Sequence, residues 1–137
     1  MKAIYKIIFP LFLLLAGPFV CSAQQKDAND VVVPISKYIL NGDSEALSAW
    51  FDDNLEVAVL TDGGIASKAQ AKQIIKTFFK SYGPQKFSVT HTAGSTTKKY
   101  ILADLIAGGE SFNVNLFLSR KNGLFRIQQL KISRSIR

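Results

Sequence analysis

His91, the one histidine of the chain, and the strand carboxylate Asp104 are the two residues whose types could work together as an acid–base pair. A carboxylate that oriented an imidazole base would have to touch it. If Gly94 to Lys98 holds the turn of a hairpin, His91 stands opposite residues 100–102 and Asp104 opposite residues 87–89. The two are then about two residues out of register, roughly 7–8 Å apart or more. His91 is therefore expected to line or edge the sheet with an ordinary hydrogen bond, and the pair stands as a catalytic candidate only against that spacing.

Asp52-Asp53 offers two adjacent carboxylates, the beginning of a metal or acid–base site. No histidine lies near them in sequence, and a calcium site needs several further oxygen ligands at fixed spacing. The pair is expected to mark a solvated turn. Zinc is excluded more firmly, because the chain has one histidine and its single cysteine, Cys21, lies at the end of a leader-like segment. No glycine-rich phosphate loop, nucleophile elbow or paired-carboxylate spacing appears, so no cofactor is expected. Spatial triads need not be sequential, and an enzyme therefore remains the alternative reading.

Two further sets carry binding rather than reaction chemistry. Lys68, Lys72, Lys76 and Lys80 recur every fourth residue and form one row along a helix. Like charges at that spacing repel by a few tenths of a kcal/mol per pair. The row is expected to be a solvated face, with contact to lipid phosphates, anionic glycan or an acidic partner as the functional alternative. Phe87, Tyr100, Phe112 and Phe117 could line an apolar ligand pocket.

These residues must be positioned by a small fold. The pattern predicts a helix over about Asp30 to Leu40, with Val31, Ile35, Tyr38 and Ile39 on its apolar face and Asn41-Gly42 as its stop. Asp43 is the expected N-cap of a second short helix, with Leu47, Trp50 and Phe51 on one side. Leu55 to Leu60 alternates as a strand, and Asp62-Gly63-Gly64 is read as the turn after it. Ser67 and Gln70 form a capping box ahead of Ala71, Ile74, Ile75, Phe78, Phe79 and Tyr82, and Gly83-Pro84 ends that helix.

Four strands follow, over about Lys86–Ala93, Lys99–Ala107, Ser111–Arg120 and Leu124–Ser133, expected as an antiparallel meander. Asn122-Gly123 is the strongest hairpin signal, because both residues accept positive φ. In the last strand the apolar phase passes from Phe125 and Ile127 to Leu130 and Ile132 across Gln128-Gln129. A period of two shifts in this way only with an extra residue, which predicts a β-bulge. Apolar groups are expected on both sheet faces, with Phe117 out of place on the outer one. That surplus suggests a homodimer or an envelope protein partner on the outer face, unless the C-terminal residues Ser133 to Arg137 cover it.

Met1 to Ala23 has the layout of a secretory signal: Lys2 and Lys6, an apolar run from Ile7 to Val20, then Cys21-Ser22-Ala23. The run is shorter than the roughly 20 residues of a membrane-spanning helix. Cleavage after Ala23 is expected, with a lipoprotein anchored at Cys21 as the alternative. Residues 24–29 then form a linker and 30–137 one domain, with no transmembrane segment in the mature protein. The mature chain keeps 15 basic residues against 10 acidic, a charge of +5. In an exported protein, periplasmic or extracellular, that excess points to anionic envelope material and away from nucleic acid.

The order of three N-terminal helices, an early strand and a long meander resembles the NTF2-like cone, an α+β fold. Asp30-Val31-Val32-Val33-Pro34-Ile35, Gly42-Asp43, Leu47-Ser48-Ala49-Trp50-Phe51, Ile74-Ile75-Lys76-Thr77-Phe78-Phe79 and Phe125-Arg126-Ile127-Gln128-Gln129-Leu130 are similar to the family catalogued as domain of unknown function 4783. The resemblance implies three helices packed on a curved antiparallel sheet and an exported bacterial product. It implies no activity and no site residues. The sequence therefore leads to a non-catalytic module of the cell envelope that binds a small apolar ligand or a protein, with a cofactor-free dehydratase or isomerase using the cone as the alternative.

Release by signal peptidase predicts a mature N-terminus at Gln24, which the intact mass of the exported protein checks. A mass carrying diacylglyceryl on Cys21 would contradict it.

Overall fold

The computed structural model describes residues 31–135. The expected leader, the linker and Asp30 lie outside the described residues, as do Ile136 and Arg137. Helix α1 (Val32–Leu40) repeats Val31, Ile35 and Ile39 every fourth residue, and all three are buried. Pro34 falls in its first turn, where a missing N–H breaks no helical hydrogen bond. Asp43 caps α2 (Ser44–Ser48) through Oδ1, which accepts from the Ala46 N–H at 3.0 Å. Helix α3 (Lys68–Ser81) opens on the expected reciprocal box between Ser67 and Gln70 and buries Ala71, Ile75, Phe78 and Phe79. No helix among the described residues is long and apolar enough to cross a membrane.

The strands are β1 (Phe51–Val59), β2 (Asp62–Ser67), β3 (Pro84–Gly94), β4 (Lys98–Ala107), β5 (Glu110–Lys121) and β6 (Leu124–Arg134). They form one sheet in the order β2-β1-β6-β5-β4-β3. Neighbours are antiparallel except β1 and β6, which run parallel. The expected all-antiparallel sheet is thus mixed at this one pair. The α+β class and the curved sheet under three helices hold, with β2 as a sixth strand beyond the five expected.

Two local expectations need correction. The second helix ends at Ser48, and Phe51 opens β1 instead of sharing a helical face with Leu47. Its side chain is buried as the first core residue of the strand. Asp62-Gly63-Gly64 is not the turn. Leu60, at φ +59°, makes the reversal, while Gly63 and Gly64 pair with Ala58 and Val57 in β2. Gly63 lies so close to Ala58 that a Cβ on it would stand 3.3 Å from the alanine methyl, so the pairing itself asks for a small residue.

The meander follows its expected turns, with Asn122 and Gly123 at φ +52° and +82°. The bulge in β6 is present: Phe117 faces Gln129, Leu118 faces Ile127, and Gln128 has no partner in β5. Its effect differs from the one anticipated. The extra residue absorbs the phase change, so Ile127, Leu130 and Ile132 are all buried on the helix-covered face. Past the bulge no apolar group of β6 is exposed on the outer face; the exposed one, Leu124, stands at the turn. Further shifts in β3 leave Gln85 and Thr90 unpaired, and Gln85 turns its Oε1 to the Gly109 N–H at 2.7 Å, closing the β4–β5 turn. Bulges of this kind bend and twist the strand that carries them.

Candidate functional site

The core takes alternate side chains from β4 and β5, while β3 adds only the partly buried Phe87 and Val89. Ile101, Ala103, Leu105 and Ala107 of β4 and Phe112, Val114, Leu116 and Leu118 of β5 are all buried. The alternate residues Tyr100, Leu102, Asp104 and Ile106 are exposed on the opposite face, which no described helix covers.

That division separates the four aromatic candidates. Phe112 is fully buried, with its ring edge-on to Phe78 and Tyr82 at 5.2 Å from each. Phe87, opposite Leu105, is partly buried against the same core. Tyr100 and Phe117 are cross-strand partners on the outer face, with ring centroids 4.6 Å apart. The set cannot line one pocket, because Phe112 and Phe117 lie an odd number of positions apart on β5 and point to opposite sides. The centre of the helix-covered face is filled by packing. Two clefts, of about 440 and 350 Å³, open at its edge along α3, where Gln73 and Ile74 border both and the core residues Val57 and Ala66 reach the first and Val59 and Phe78 the second.

His91 and Asp104 stand where their register places them. His91 faces Leu102, Asp104 faces Ser88, and both are exposed. They share the outer face with no contact between them, and neither enters the core. Asp104 borders a small recess of about 150 Å³ with Lys86, Ser88 and Ser111.

Asp52 is not in a solvated turn. Its side chain is 12% exposed, and its two oxygens each accept from Lys121 Nζ at 3.1 Å. Oδ2 also accepts from Gln128 Nε2 at 3.1 Å and Oδ1 from the Asp53 N–H at 2.8 Å. Burial pushes this carboxyl up, but the hydrogen bonds from Lys121, Asp53 and Gln128 outweigh it and hold the group below the ordinary carboxylate value. Asp53 is exposed. Among the described residues no three metal-ligating side chains converge.

In the lysine row, Lys72 is drawn to Glu45 of α2 at 2.7 Å. Lys68, Lys76 and Lys80 make no ion pair among the described residues, and Lys76 and Lys80 are exposed.

Sequence reasoning missed one cluster. Arg120 lies 4.7 Å and Lys99 5.9 Å from the ring centre of Phe125. Arg120 faces Phe125 directly across the Asn122-Gly123 turn, so extending the hairpin register by one pair beyond the turn would have found that contact.

A family model described as "Domain of unknown function (DUF4783)" matches residues 32–133. No curated protein matches the chain. Among solved structures, a DUF4783 family protein from Bacteroides uniformis is similar at 20% identity and TM-score 0.74, over 78% of this chain and 99% of that one. An NTF-2 like protein of unknown function from Silicibacter pomeroyi is similar at 12% identity and TM-score 0.61, over 84% and 98%. A ketosteroid isomerase-like protein from Erwinia carotovora atroseptica is similar at 9% identity and TM-score 0.69, over 82% and 98%. At these identities the likeness is one of fold.

The lowered pKa of Asp52 gives a pH dependence. A carboxylate depressed on folding contributes stability above its unfolded value, 3.8, and loses it as pH falls through the folded value. Asp52→Asn should cost about 1 kcal/mol at pH 7, since the partner lysine is half exposed. The gap to wild type should close in strong acid. Urea unfolding of both proteins across that range checks it, and a gap independent of pH would contradict it.

Proposed function

The chain belongs to the DUF4783 family, and from that premise we propose that it is a non-catalytic binding module of the bacterial cell envelope that engages protein through its open sheet face. Export is inferred from the signal-like residues 1–23. The observation that carries the binding assignment is the Tyr100–Phe117 stack, half in water on a face without a helix layer.

Tyr100 is 49% exposed, and Leu102 and Ile106, on the same side of β4, are 39% and 38% exposed. Rigid aromatic side chains supply much contact area for little conformational entropy, and they dominate the energetics of many interfaces. Asn113, Asn115, Asp104 and His91 surround these apolar groups with polar ones on neighbouring strands. An apolar centre with a polar rim is the usual anatomy of a non-obligate interface. Among the described residues the C-terminal strand end stays away from Phe117: Ser133 and Arg134 pair with Asn113 and Phe112, Ser135 reaches the Asn113 side chain at 3.2 Å, and the β6 partner of Phe117 is Gln129.

The packed centre of the cone, around Leu105, Phe112 and Leu118, weighs against an apolar ligand there. It weighs equally against a dehydratase or isomerase reading, which asks for an acid or base inside it. His91 and Asp104 are in water on the other face. A second copy of the chain is the partner that the surface itself supplies, related by a two-fold axis through the sheet face.

Sedimentation equilibrium should show weak self-association of the wild type at high micromolar concentration, weakened about tenfold by Phe117→Ser. A wild type that stays monomeric would remove the second copy as partner. Association unchanged in the variant would remove this face.

A further inference from the structure

At the end of the sheet opposite the β4–β5 turn, the β3–β4 and β5–β6 hairpins finish side by side. The Arg120 N–H donates to the Thr97 carbonyl at 2.8 Å, and the Ser95 N–H to the Lys98 carbonyl at 2.8 Å, so the two tips are joined. Five cations collect there: Lys98, Lys99, Arg120, Lys121 and Arg126. Only Lys121 has a carboxylate partner among the described residues, Asp52. The exposed Asp53 is the other acidic residue that β1 brings beside this end. At the exit of the turn Leu124 is 58% exposed.

We infer that these joined hairpin tips dock end-on against an anionic phospholipid surface, with Leu124 entering the headgroup layer inside a collar of lysine and arginine.

The placement of the cations favours a lipid surface over a soluble polyanion. Lys99 and Arg120 share the Phe125 side of the sheet, whereas Lys98 and the half-buried Arg126, which also donates to the Ala49 carbonyl at 2.8 Å, face Ser119 on the other side. A linear polyanion in a groove would call for cations on one face. Charges on both faces of a tip converge only on something met by the tip itself, and a planar anionic surface has that shape. Arg120 and Lys99 are braced by the Phe125 ring, which limits the side-chain entropy lost on docking. Each cation brought to an anionic membrane surface strengthens binding about fivefold, and an exposed leucine adds apolar burial that soluble anions cannot match.

The test is co-sedimentation with vesicles of equal parts phosphatidylglycerol and phosphatidylcholine, and with phosphatidylcholine alone. It uses the protein recovered from cells that make it, with its own N-terminal processing. Binding should need the anionic lipid and fall with salt. The Lys98→Gln/Lys99→Gln double variant should bind about 25-fold more weakly at unchanged thermal stability. Leu124→Ser should bind severalfold more weakly, and Lys76→Gln/Lys80→Gln on α3, with the same net charge, should bind as wild type. Equal loss in the α3 variant, equal binding to phosphatidylcholine, or binding to heparin without binding to vesicles would overturn the proposal.

Discussion

The phase of β6 is set at the Gln128 bulge, and in the contact between Asp52 and Gln128 two irregularities of the sheet meet. The parallel pairing of β1 with β6 breaks between Phe51 and Glu56, and the antiparallel pairing of β5 with β6 breaks at Gln128. Each break alone would leave a polar side chain and an unpaired stretch of backbone. Together they close on one another: Gln128 Nε2 reaches the Asp52 carboxylate, Lys121 neutralises it, and the Ile127 N–H goes to the Trp50 carbonyl at 2.7 Å. Without the extra residue, a period of two would turn either Ile127 or Leu130 and Ile132 toward water. Each such side chain is worth about 1.5–3 kcal/mol of burial.

This local solution decides which face of the sheet is available. With β6 in phase, the helix-covered side is filled by residues of every strand, and Phe112, Leu105 and Leu118 are sealed from solvent. The outer side is left with Tyr100, Leu102, Ile106 and Phe117 among polar neighbours. The same cone supports enzymes in other proteins, but a fold carries a reaction only where its interior holds reacting groups. In this chain the half-exposed aromatic pair Tyr100–Phe117 lies on the outer face, and cations unpaired among the described residues lie at the hairpin ends and along α3.

Much of this was legible in the residues, because the strongest signals are local. The Asp43 cap, the Ser67–Gln70 box and the Asn122-Gly123 turn each depend on a few neighbouring residues, and the structure has all three. The bulge was legible too, from a phase change that no regular strand allows. What escaped depended on distant partners. Strand β2 was hidden because Gly63-Gly64 looks like a turn until Ala58 is known to lie opposite. The parallel β1–β6 pair leaves no mark in either strand. Asp52 read as a surface residue because its three hydrogen-bonding partners include Lys121 and Gln128, some seventy residues away. The aromatic set failed for a simpler reason: strand parity had already placed Phe112 and Phe117 on opposite faces.

The claim that binding belongs to the outer face and not to the cone is tested most directly by aromatic and methyl NMR spectra recorded while a neutral apolar probe such as indole is added. A packed interior predicts that shifts gather at Tyr100, Leu102, Ile106 and Phe117 and leave Leu105, Phe112 and Leu118 unmoved. Saturable shifts at those three buried residues would show an accessible cavity inside the cone and contradict it.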